Sequence, residues 1–367
     1  MRTEAHGRAV IDAANPSRER PLTVDTPVRV ASVSKLVVAV AVMRLVEAGT
    51  LDLDRDVSGW LGWQLRNPAF PGAPVTLRQL LSHTSGLDDA SGYSFPLGVR
   101  LQDALTPGHW SAAPGARFSY ANINYGVVAS VMEAATGERF DRLMTRLVLA
   151  PLRLDACFNW SGCSTAAVAR AAVLYRKGRD ETAWDPAGPW VAQIDDLRGR
   201  PPRCPVRADA ACDLAAYRPG DNGTLFSPQG GLRISVAGLA TIGRLLLGQG
   251  RVDGVRLLSA ASVRTLLAPV WSGGASGETY GGQMRCFGIG VQCLVGGSDQ
   301  PVAGRRVHWQ GHLGEAYGLY SGLWVDRARR RVYAFAVTGT AADPAAFPGR
   351  YSAFPAFEEA ILSDLAR

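Results

Sequence analysis

The chain has 367 residues, of which 47% are hydrophobic and 19% charged, and its formal net charge is +7. This composition predicts a globular protein with a sizeable core, and the length fits two or three domains. The longest apolar run, residues 36–43, is far shorter than the roughly 20 residues that a membrane-spanning helix needs. The arginines are scattered and lack interleaved aromatic residues, which argues against a nucleic-acid surface.

Helices are predicted in the first two thirds of the chain. Ser32 is a favoured N-cap and Gly49 follows the apolar run, so we expect a helix between them. Because this helix is apolar on every face, it should be buried in the middle of the protein. Further helices are predicted over residues 77–82, 124–135, 139–149 and 235–247.

The remainder of the chain has a different character. Residues 156–225 are rich in Cys, Pro, Gly and Arg without clear periodicity, which predicts a partly irregular insertion. Strand-like runs follow at residues 287–295, 307–310, 318–325 and 331–338, and a helix is predicted over 355–366.

These elements together predict an α+β fold, in which an antiparallel β-sheet is flanked by helices and carries a mostly helical inserted subdomain. We expect residues 1–62 and 226–367 to form the sheet domain. Residues 63–225 should form the helical insertion, including its cysteine-containing irregular segment.

The six cysteines fall into three pairs that are close in sequence: Cys157 and Cys163, Cys204 and Cys212, Cys286 and Cys293. The first two pairs are plausible loop closures, and buried free thiols are the alternative for all six. The third pair flanks a run predicted as one strand. A straight strand would separate its Cα atoms by roughly 23 Å, whereas bridged Cα atoms lie within about 7 Å. That pair can bond only if the segment bends sharply.

The compartment is predicted from two features. An even number of cysteines favours an oxidising compartment. Residues 1–6 contain no apolar signal-peptide core, so export is not encoded in the chain as given, and a cytoplasmic location is the alternative. No metal-ligand spacing, cofactor fingerprint or phosphate-binding loop is present, and we therefore predict neither a metal nor a cofactor. The oligomeric state is left open.

The first candidate chemical element is Ser32 with Lys35. Residues three apart share one face of a helix, so the serine hydroxyl and the lysine amine can meet. A serine becomes a good nucleophile only beside a base, and a lysine can be that base if burial lowers its pKa. The chain has only two lysines, Lys35 and Lys177, and uses arginine elsewhere. Since arginine does not lose its proton, this choice indicates that a titratable amine is needed.

The second element is Tyr120 with Asn122. Two residues apart on an extended loop, their side chains point the same way and can face one cleft. We expect the phenol beside a cationic amine to have a lowered pKa and to relay protons. The Asn122 amide can fix the lysine and a substrate carbonyl. A helix-capping loop with a core tyrosine is the alternative.

The third element is His312-Leu313-Gly314. On a strand edge, His312 and Gly314 would lie on one face, and Gly314 would let a substrate approach the backbone. Alone, this pattern is more typical of an ordinary buried or surface histidine.

In this order the three elements resemble the serine β-lactamase and penicillin-binding-protein superfamily. The nearest resemblance is to its class C-like esterase and D-aminopeptidase branch, in which a histidine often replaces the lysine of the third motif. Residues 29–35, 80–87, 227–232 and 311–314 all look like family segments. The resemblance implies a serine hydrolase that forms an acyl-enzyme on Ser32, with Lys35 and Tyr120 as the groups that move the proton.

The resemblance also implies binding roles for residues near the nucleophile. The backbone N–H groups of Ser32 and Glu315 would form the oxyanion hole, and Asn122, His312 and Gly314 would contact the substrate. Glu315 stands where the family has a small residue, so its side chain must point away or narrow the substrate range. The third motif lacks a Lys-Thr-Gly triplet, which makes a true β-lactamase less expected than an esterase or D-aminoacyl peptidase. Ser32 comes early for the family, which indicates a longer natural N-terminus.

Two classes of function follow. The first is hydrolysis of a small-molecule or peptide ester or amide, and the family origin favours a periplasmic or secreted location. The alternative is a catalytically inactive β-lactamase-fold binding or cell-envelope protein. The lack of a Gly-x-Ser-x-Gly elbow argues against a third class, an unrelated α/β-hydrolase.

Overall fold

A computed structural model describes residues 2–12, 14–178, 183–206, 211–273, 277–295, 302, 307–341 and 343–367. Its α-helices are α1 (Val33–Glu47), α2 (Ser58–Leu61), α3 (Leu77–Leu81), α4 (Leu101–Ala104), α5 (Ile123–Thr136), α6 (Phe140–Met144), α7 (Thr165–Arg170), α8 (Val236–Leu247), α9 (Ala260–Leu267) and α10 (Ala356–Leu365). Short 3-10 helices are Pro16–Arg18, Pro107–His109, Gly223–Phe226 and Pro344–Ala346, and a π-helical turn, Thr145–Leu149, extends α6.

The strands are β1 (Arg8–Val10), β2 (Arg20–Pro21), β3 (Val28–Arg29), β4 (Phe118–Ser119), β5 (Cys157–Phe158), β6 (Leu174–Lys177), β7 (Trp190–Ile194), β8 (Leu232–Ile234), β9 (Arg251–Val252), β10 (Val255–Arg256), β11 (Trp271–Ser272), β12 (Gly277–Glu278), β13 (Cys286–Phe287), β14 (Gln292–Val295), β15 (His308–Ala316), β16 (Leu319–Asp326), β17 (Arg331–Val337) and β18 (Gly339–Thr340).

The main sheet has the strand order β11-β13-β14-β15-β16-β17, and every pairing in it is antiparallel. Helix α8 packs against β16 and β17, and α1 packs against β15 and β16. The close approach of α8 depends on Gly243, because a Cβ there would lie 2.3 Å from Val332 Cγ1. An antiparallel sheet covered by helices confirms the predicted α+β fold. The division into two domains at residues 62 and 226 stays a prediction.

Helix α1 lies at the centre of the largest apolar cluster. Twelve of its 15 residues are buried, as expected for a helix that is apolar on every face. Helices α3, α5, α8 and α9 supply much of the surrounding apolar surface. The residue that opens this helix is therefore held by a rigid core. Among the described residues, no helix has the length and hydropathy to cross a membrane.

The segment predicted as one strand over residues 287–295 is two strands, and that prediction was wrong. Phe287 in β13 pairs with Gln292 in β14, so the chain reverses between them. Gly290 permits the reversal, because its φ is +67°. The reversal brings Cys286 and Cys293 to a Cα separation of 5.2 Å, and they form a disulfide.

The other two cysteine pairs are also disulfides, with Cα separations of 5.1 Å for Cys157–Cys163 and 5.2 Å for Cys204–Cys212. No free cysteine is present among the described residues. The alternative of buried thiols is therefore not what the structure contains.

Two smaller differences concern strand ends. The strand predicted to stop at Gln310 continues to Ala316, so the third motif lies inside β15. The early strand β1 pairs with β2 in a small separate sheet and not with the main one. The irregular segment also contributes β6 and β7, which form a three-stranded sheet with β18.

Candidate active site

Ser32 lies at the N-terminal end of α1, where the chain turns out of β3. The preceding residue, Ala31, has φ = +44°, a left-handed conformation that is strained for a residue with a Cβ. This turn leaves Ser32 partly exposed, whereas Lys35 one helical turn later is fully buried. The N-terminus of a helix favours developing negative charge, so the position suits a nucleophile that forms an oxyanion.

The Lys35 amine has three oxygen neighbours. Its Nζ lies 2.9 Å from Ser32 Oγ, 2.9 Å from Asn122 Oδ1 and 3.0 Å from the Gln229 carbonyl oxygen. Burial lowers the pKa of Lys35 from 10.5 to about 7, and the charge of Asp89 opposes part of that change. The amine can therefore exist in either protonation state near neutral pH.

The three contacts allow the amine to act in both states. As an ammonium group, Lys35 can donate one hydrogen to each oxygen. When the amine has lost a proton, its two remaining hydrogens can still be donated to Asn122 Oδ1 and Gln229 O. The lone pair then faces Ser32 Oγ and can accept its proton. The sequence-predicted pair of Ser32 and Lys35 is thus brought together with the geometry that a base and nucleophile need.

Tyr120 also lies at this site, but its pKa differs from the predicted one. The Lys35 amine sits over the ring of Tyr120, 4.8 Å from its centroid. Burial raises the pKa of Tyr120 well above 10, although the neighbouring Ser32 hydroxyl lowers it somewhat. The expectation of a lowered phenol pKa was therefore wrong, because loss of water on burial is the largest effect on this pKa. Tyr120 stays protonated where Lys35 titrates.

Asn122 is positioned by Asp89, a residue that the sequence analysis missed. One Asp89 carboxylate oxygen accepts hydrogen bonds from the Asn122 backbone N–H at 2.8 Å and side-chain Nδ2 at 3.0 Å. The other accepts from the Ile123 N–H at 2.9 Å, at the start of α5. Because Nδ2 is held by Asp89, the Asn122 carbonyl oxygen must face Lys35. Asp89 is one of 32 acidic residues, and its spacing gives no signal of this role.

Replacing Asp89 by Asn should therefore have two effects. The new side chain places an NH2 group against donors, so Asn122 loses its orientation, and we expect kcat to fall by about 10- to 100-fold on an ester substrate. Loss of the negative charge should also lower the pKa of Lys35 further, moving the acid limb of the pH–rate profile to lower pH. Asp103→Asn, at an exposed position on α4, is the control. An unchanged kcat and an unmoved limb would contradict the assignment.

His312 in β15 is fully buried and faces the same group of side chains. Its Nδ1 is in hydrogen-bond contact with the Leu313 carbonyl oxygen, so Nδ1 carries the proton and Nε2 is an acceptor. Nε2 has no hydrogen-bond partner among the described residues. Burial, with the charge of Lys35, lowers the pKa of His312 to about 3. This neutral imidazole does not supply the positive charge that a substrate carboxylate would need.

Gly314 allows two backbone segments to approach each other, and its predicted contact with a substrate stays a prediction. A Cβ at this position would lie 2.4 Å from the Val30 carbonyl oxygen and 3.2 Å from the Ser32 nitrogen. The missing side chain thus lets β15 approach the turn that carries Ser32. Ser321 in β16 holds the same contact, because its hydroxyl donates to Val30 O at 2.9 Å.

The side chain of Glu315 is held on β16. Its Oε1 accepts a hydrogen bond from the Tyr320 hydroxyl at 2.8 Å. The backbone N–H groups near Glu315 face the opposite edge of β15, away from β16. The Leu313 N–H donates to Gln292 Oε1 at 3.4 Å on that side. Because N–H groups two residues apart face the same side of a strand, the Glu315 N–H faces that side too. This direction fits the predicted oxyanion contact.

Comparison with known proteins places this arrangement in a family. The family model described as Beta-lactamase matches residues 4–355. Esterase EstB of Burkholderia gladioli is 35% identical over 195 residues, which are 48% of this chain and 47% of the esterase. The D-alanyl-D-alanine-carboxypeptidase/endopeptidase AmpH of Escherichia coli (strain K12) is 28% identical over 136 residues, which are 35% of this chain and 35% of AmpH. The chain thus spans less than half the length of either relative.

The fold is also similar to that of a solved penicillin-binding protein. The crystal structure of a penicillin binding protein from Bacillus halodurans superimposes with a TM-score of 0.63, at 18% identity, over 99% of this chain and 90% of that chain. Identity this low supports the fold alone. The family model, in contrast, covers all but the ends of the sequence, and the chain belongs to the Beta-lactamase family.

Proposed function

We propose that the protein is a serine hydrolase that cleaves an ester or amide through an acyl-enzyme on Ser32. One observation carries the proposal. The Lys35 amine lies 2.9 Å from the Ser32 hydroxyl in a buried site, and burial lowers its pKa to about 7. A general base works best when its pKa is near the operating pH.

In the acylation step, neutral Lys35 takes the proton of Ser32 as Oγ attacks the substrate carbonyl carbon. The new Oγ–C bond turns the carbonyl oxygen into an oxyanion. The backbone N–H groups of Ser32 and Glu315 stabilise that charge, helped by the N-terminal end of α1. Collapse of this intermediate breaks the bond to the leaving group.

The leaving group needs a proton. The raised pKa of Tyr120 keeps its phenol protonated, so it can donate to the departing oxygen or nitrogen and recover a proton from the Lys35 ammonium. In deacylation a water molecule attacks the acyl carbon, and neutral Lys35 accepts the proton of that water. Collapse of the second intermediate breaks the bond between Ser32 Oγ and the acyl carbon, the Lys35 ammonium returns its proton to Oγ, and the acid product leaves.

The preferred substrates are acyl compounds without a carboxylate at the third motif. His312 is neutral there, and no Lys or Arg occupies residues 311–316. β-Lactams carry such a carboxylate, so we place carboxylesterase-like activity first, D-aminoacyl peptidase activity second and β-lactamase activity last. The resemblance to an esterase over 48% of the chain supports this order.

The test is a substrate panel combined with intact-protein mass spectrometry. A short-chain p-nitrophenyl ester should turn over rapidly, whereas a chromogenic cephalosporin should not. A fluorophosphonate should add one adduct, and peptide mapping should find it on Ser32. Failure of every acylating probe to label Ser32 would favour the alternative of an inactive binding or cell-envelope protein.

The pH dependence of the ester reaction gives a further prediction. Lys35 acts as a base only when neutral, so kcat/KM should fall about tenfold per pH unit below its pKa and level off above it. The midpoint is expected at about pH 7. Steady-state rates on a substrate that does not titrate in this range measure it. A midpoint near the ordinary lysine value of 10.5 would contradict the assignment.

We also propose that the protein works in an oxidising compartment such as the periplasm or the exterior. The support is that all six cysteines are paired in disulfides, which rarely persist in a reducing cytoplasm. Thiol titration of the protein isolated from its native host, before and after reduction, tests this location.

A further inference from the structure

His83 is a buried histidine beside the site that the mechanism above does not use. It follows α3, is 1% exposed and has φ = +59°, a left-handed conformation that costs energy for a non-glycine residue. Strain of this kind persists where surrounding contacts fix the residue in place. The contacts of His83 lead to Tyr120.

His83 bonds to the residues on both sides of Tyr120. Its backbone carbonyl oxygen accepts the Ser119 N–H at 2.8 Å, and its ring Nδ1 accepts the Ala121 N–H at 3.1 Å. The imidazole also lies against the phenol ring, with centroids 4.3 Å apart and planes at 32°. His83 thus holds the backbone on both sides of Tyr120 and also packs against its ring.

The state of the imidazole follows from its partners. A backbone N–H donates to Nδ1, and the Asn124 amide nitrogen lies 3.3 Å from the same atom. The Asn124 carbonyl oxygen is taken by the Ser85 hydroxyl at 2.6 Å, so its NH2 group must face His83. Nδ1 therefore carries no proton, and the ring is neutral. Burial, together with Lys35 and His312, lowers the pKa of His83 well below 6.5, which keeps it so.

We propose that His83 is a positioning residue, whose neutral imidazole holds the Tyr120 phenol beside Ser32 and Lys35 for proton transfer. This role rests on the proposed serine-hydrolase function. It differs from that of an ordinary core histidine, because its acceptor atom and not its volume is what Tyr120 requires. Conservative variants that keep or delete that acceptor separate the two roles.

The test compares His83→Phe with His83→Asn. Phenylalanine keeps a ring but deletes the acceptor, and we expect kcat on a p-nitrophenyl ester to fall about 10- to 100-fold with KM changed less than about threefold. Asparagine can place its carbonyl oxygen where Nδ1 lies, and it should keep kcat within about fivefold of wild type. If His83→Phe does not fold, His83→Gln replaces it, because its acceptor lies near Nε2 instead.

His109→Phe is the matched control. His109 is also 1% exposed, and its Nδ1 likewise accepts a backbone N–H, from Thr106 at 3.0 Å, but it does not contact Tyr120. We expect this variant to keep kcat within about twofold. Equal kcat for folded His83→Phe, or His83→Gln, and His83→Asn would overturn the positioning role.

The outcome is separable from failure of the proposed function. In every variant, intact-protein mass spectrometry measures the fluorophosphonate labelling of Ser32. If wild-type protein neither labels nor turns over an ester, the hydrolase proposal has failed and the positioning role falls with it. If wild-type protein is active and the acceptor makes no difference, only the role of His83 is overturned.

Discussion

Replacing Lys35 by Arg is expected to lower kcat/KM on an ester substrate by about 1,000-fold or more. Arginine keeps the positive charge but does not release its proton, so Ser32 would have no base. The measurement is steady-state hydrolysis of a p-nitrophenyl ester, with thermal unfolding recorded for each variant because Lys35 is fully buried.

The control for this substitution is Lys177→Arg, the only other lysine in the chain. The Lys177 amine contacts the Pro186 carbonyl oxygen and the Trp190 ring, and a positive charge suffices for both. Activity should therefore be unchanged. A folded Lys35→Arg variant that retains more than about a tenth of wild-type activity would make Lys35 an electrostatic partner and not a base.

Replacing Ser32 by Ala is expected to abolish turnover and covalent labelling together. No acyl-enzyme forms without the hydroxyl, so the ester rate should fall to the background of the buffer. The fold should survive, because Ser32 is partly exposed and its side chain does not cap α1. Intact mass after fluorophosphonate treatment measures labelling, and product absorbance measures turnover.

Ser164→Ala is the matched control for the loss of a helix-start hydroxyl. The Ser164 hydroxyl accepts the Ala167 N–H at the N-terminus of α7, so its removal should cost about 1 kcal/mol of stability and no activity. Residual labelling of Ser32→Ala would mean that another residue is the nucleophile. Residual turnover without labelling would mean that hydrolysis does not pass through an acyl-enzyme.

The local part of the fold and site could be predicted from the sequence because local rules govern it. A serine before an apolar run predicted where helix α1 begins, although the Ser32 side chain makes no capping hydrogen bond, and the three-residue spacing put Ser32 and Lys35 on one face. The burial that lowers the pKa of Lys35 was also predictable, since a helix apolar on every face has only the core to occupy.

The errors came where tertiary context acts. The hairpin at Cys286 and Cys293 was hidden inside a strand-like run. The pKa of Tyr120 depends on how much water the surrounding side chains exclude, and no spacing encodes that quantity. No local pattern showed that the absent side chain of Gly314 also lets β15 approach Val30 and Ser32, which lie about 280 positions earlier in the chain.

The sequence by itself determined the position of Ser32, the proposed nucleophile, the amine beside it and the helix that buries the amine, because these depend on residues a turn apart. Only the tertiary structure decided how the proton-transfer group is held. The contacts that hold it join distant segments of the chain: Asp89 accepts from Asn122, the Gln229 carbonyl accepts from Lys35, and His83 packs against Tyr120. Such contacts depend on the path of the whole chain, whereas a helix face depends only on the next turn.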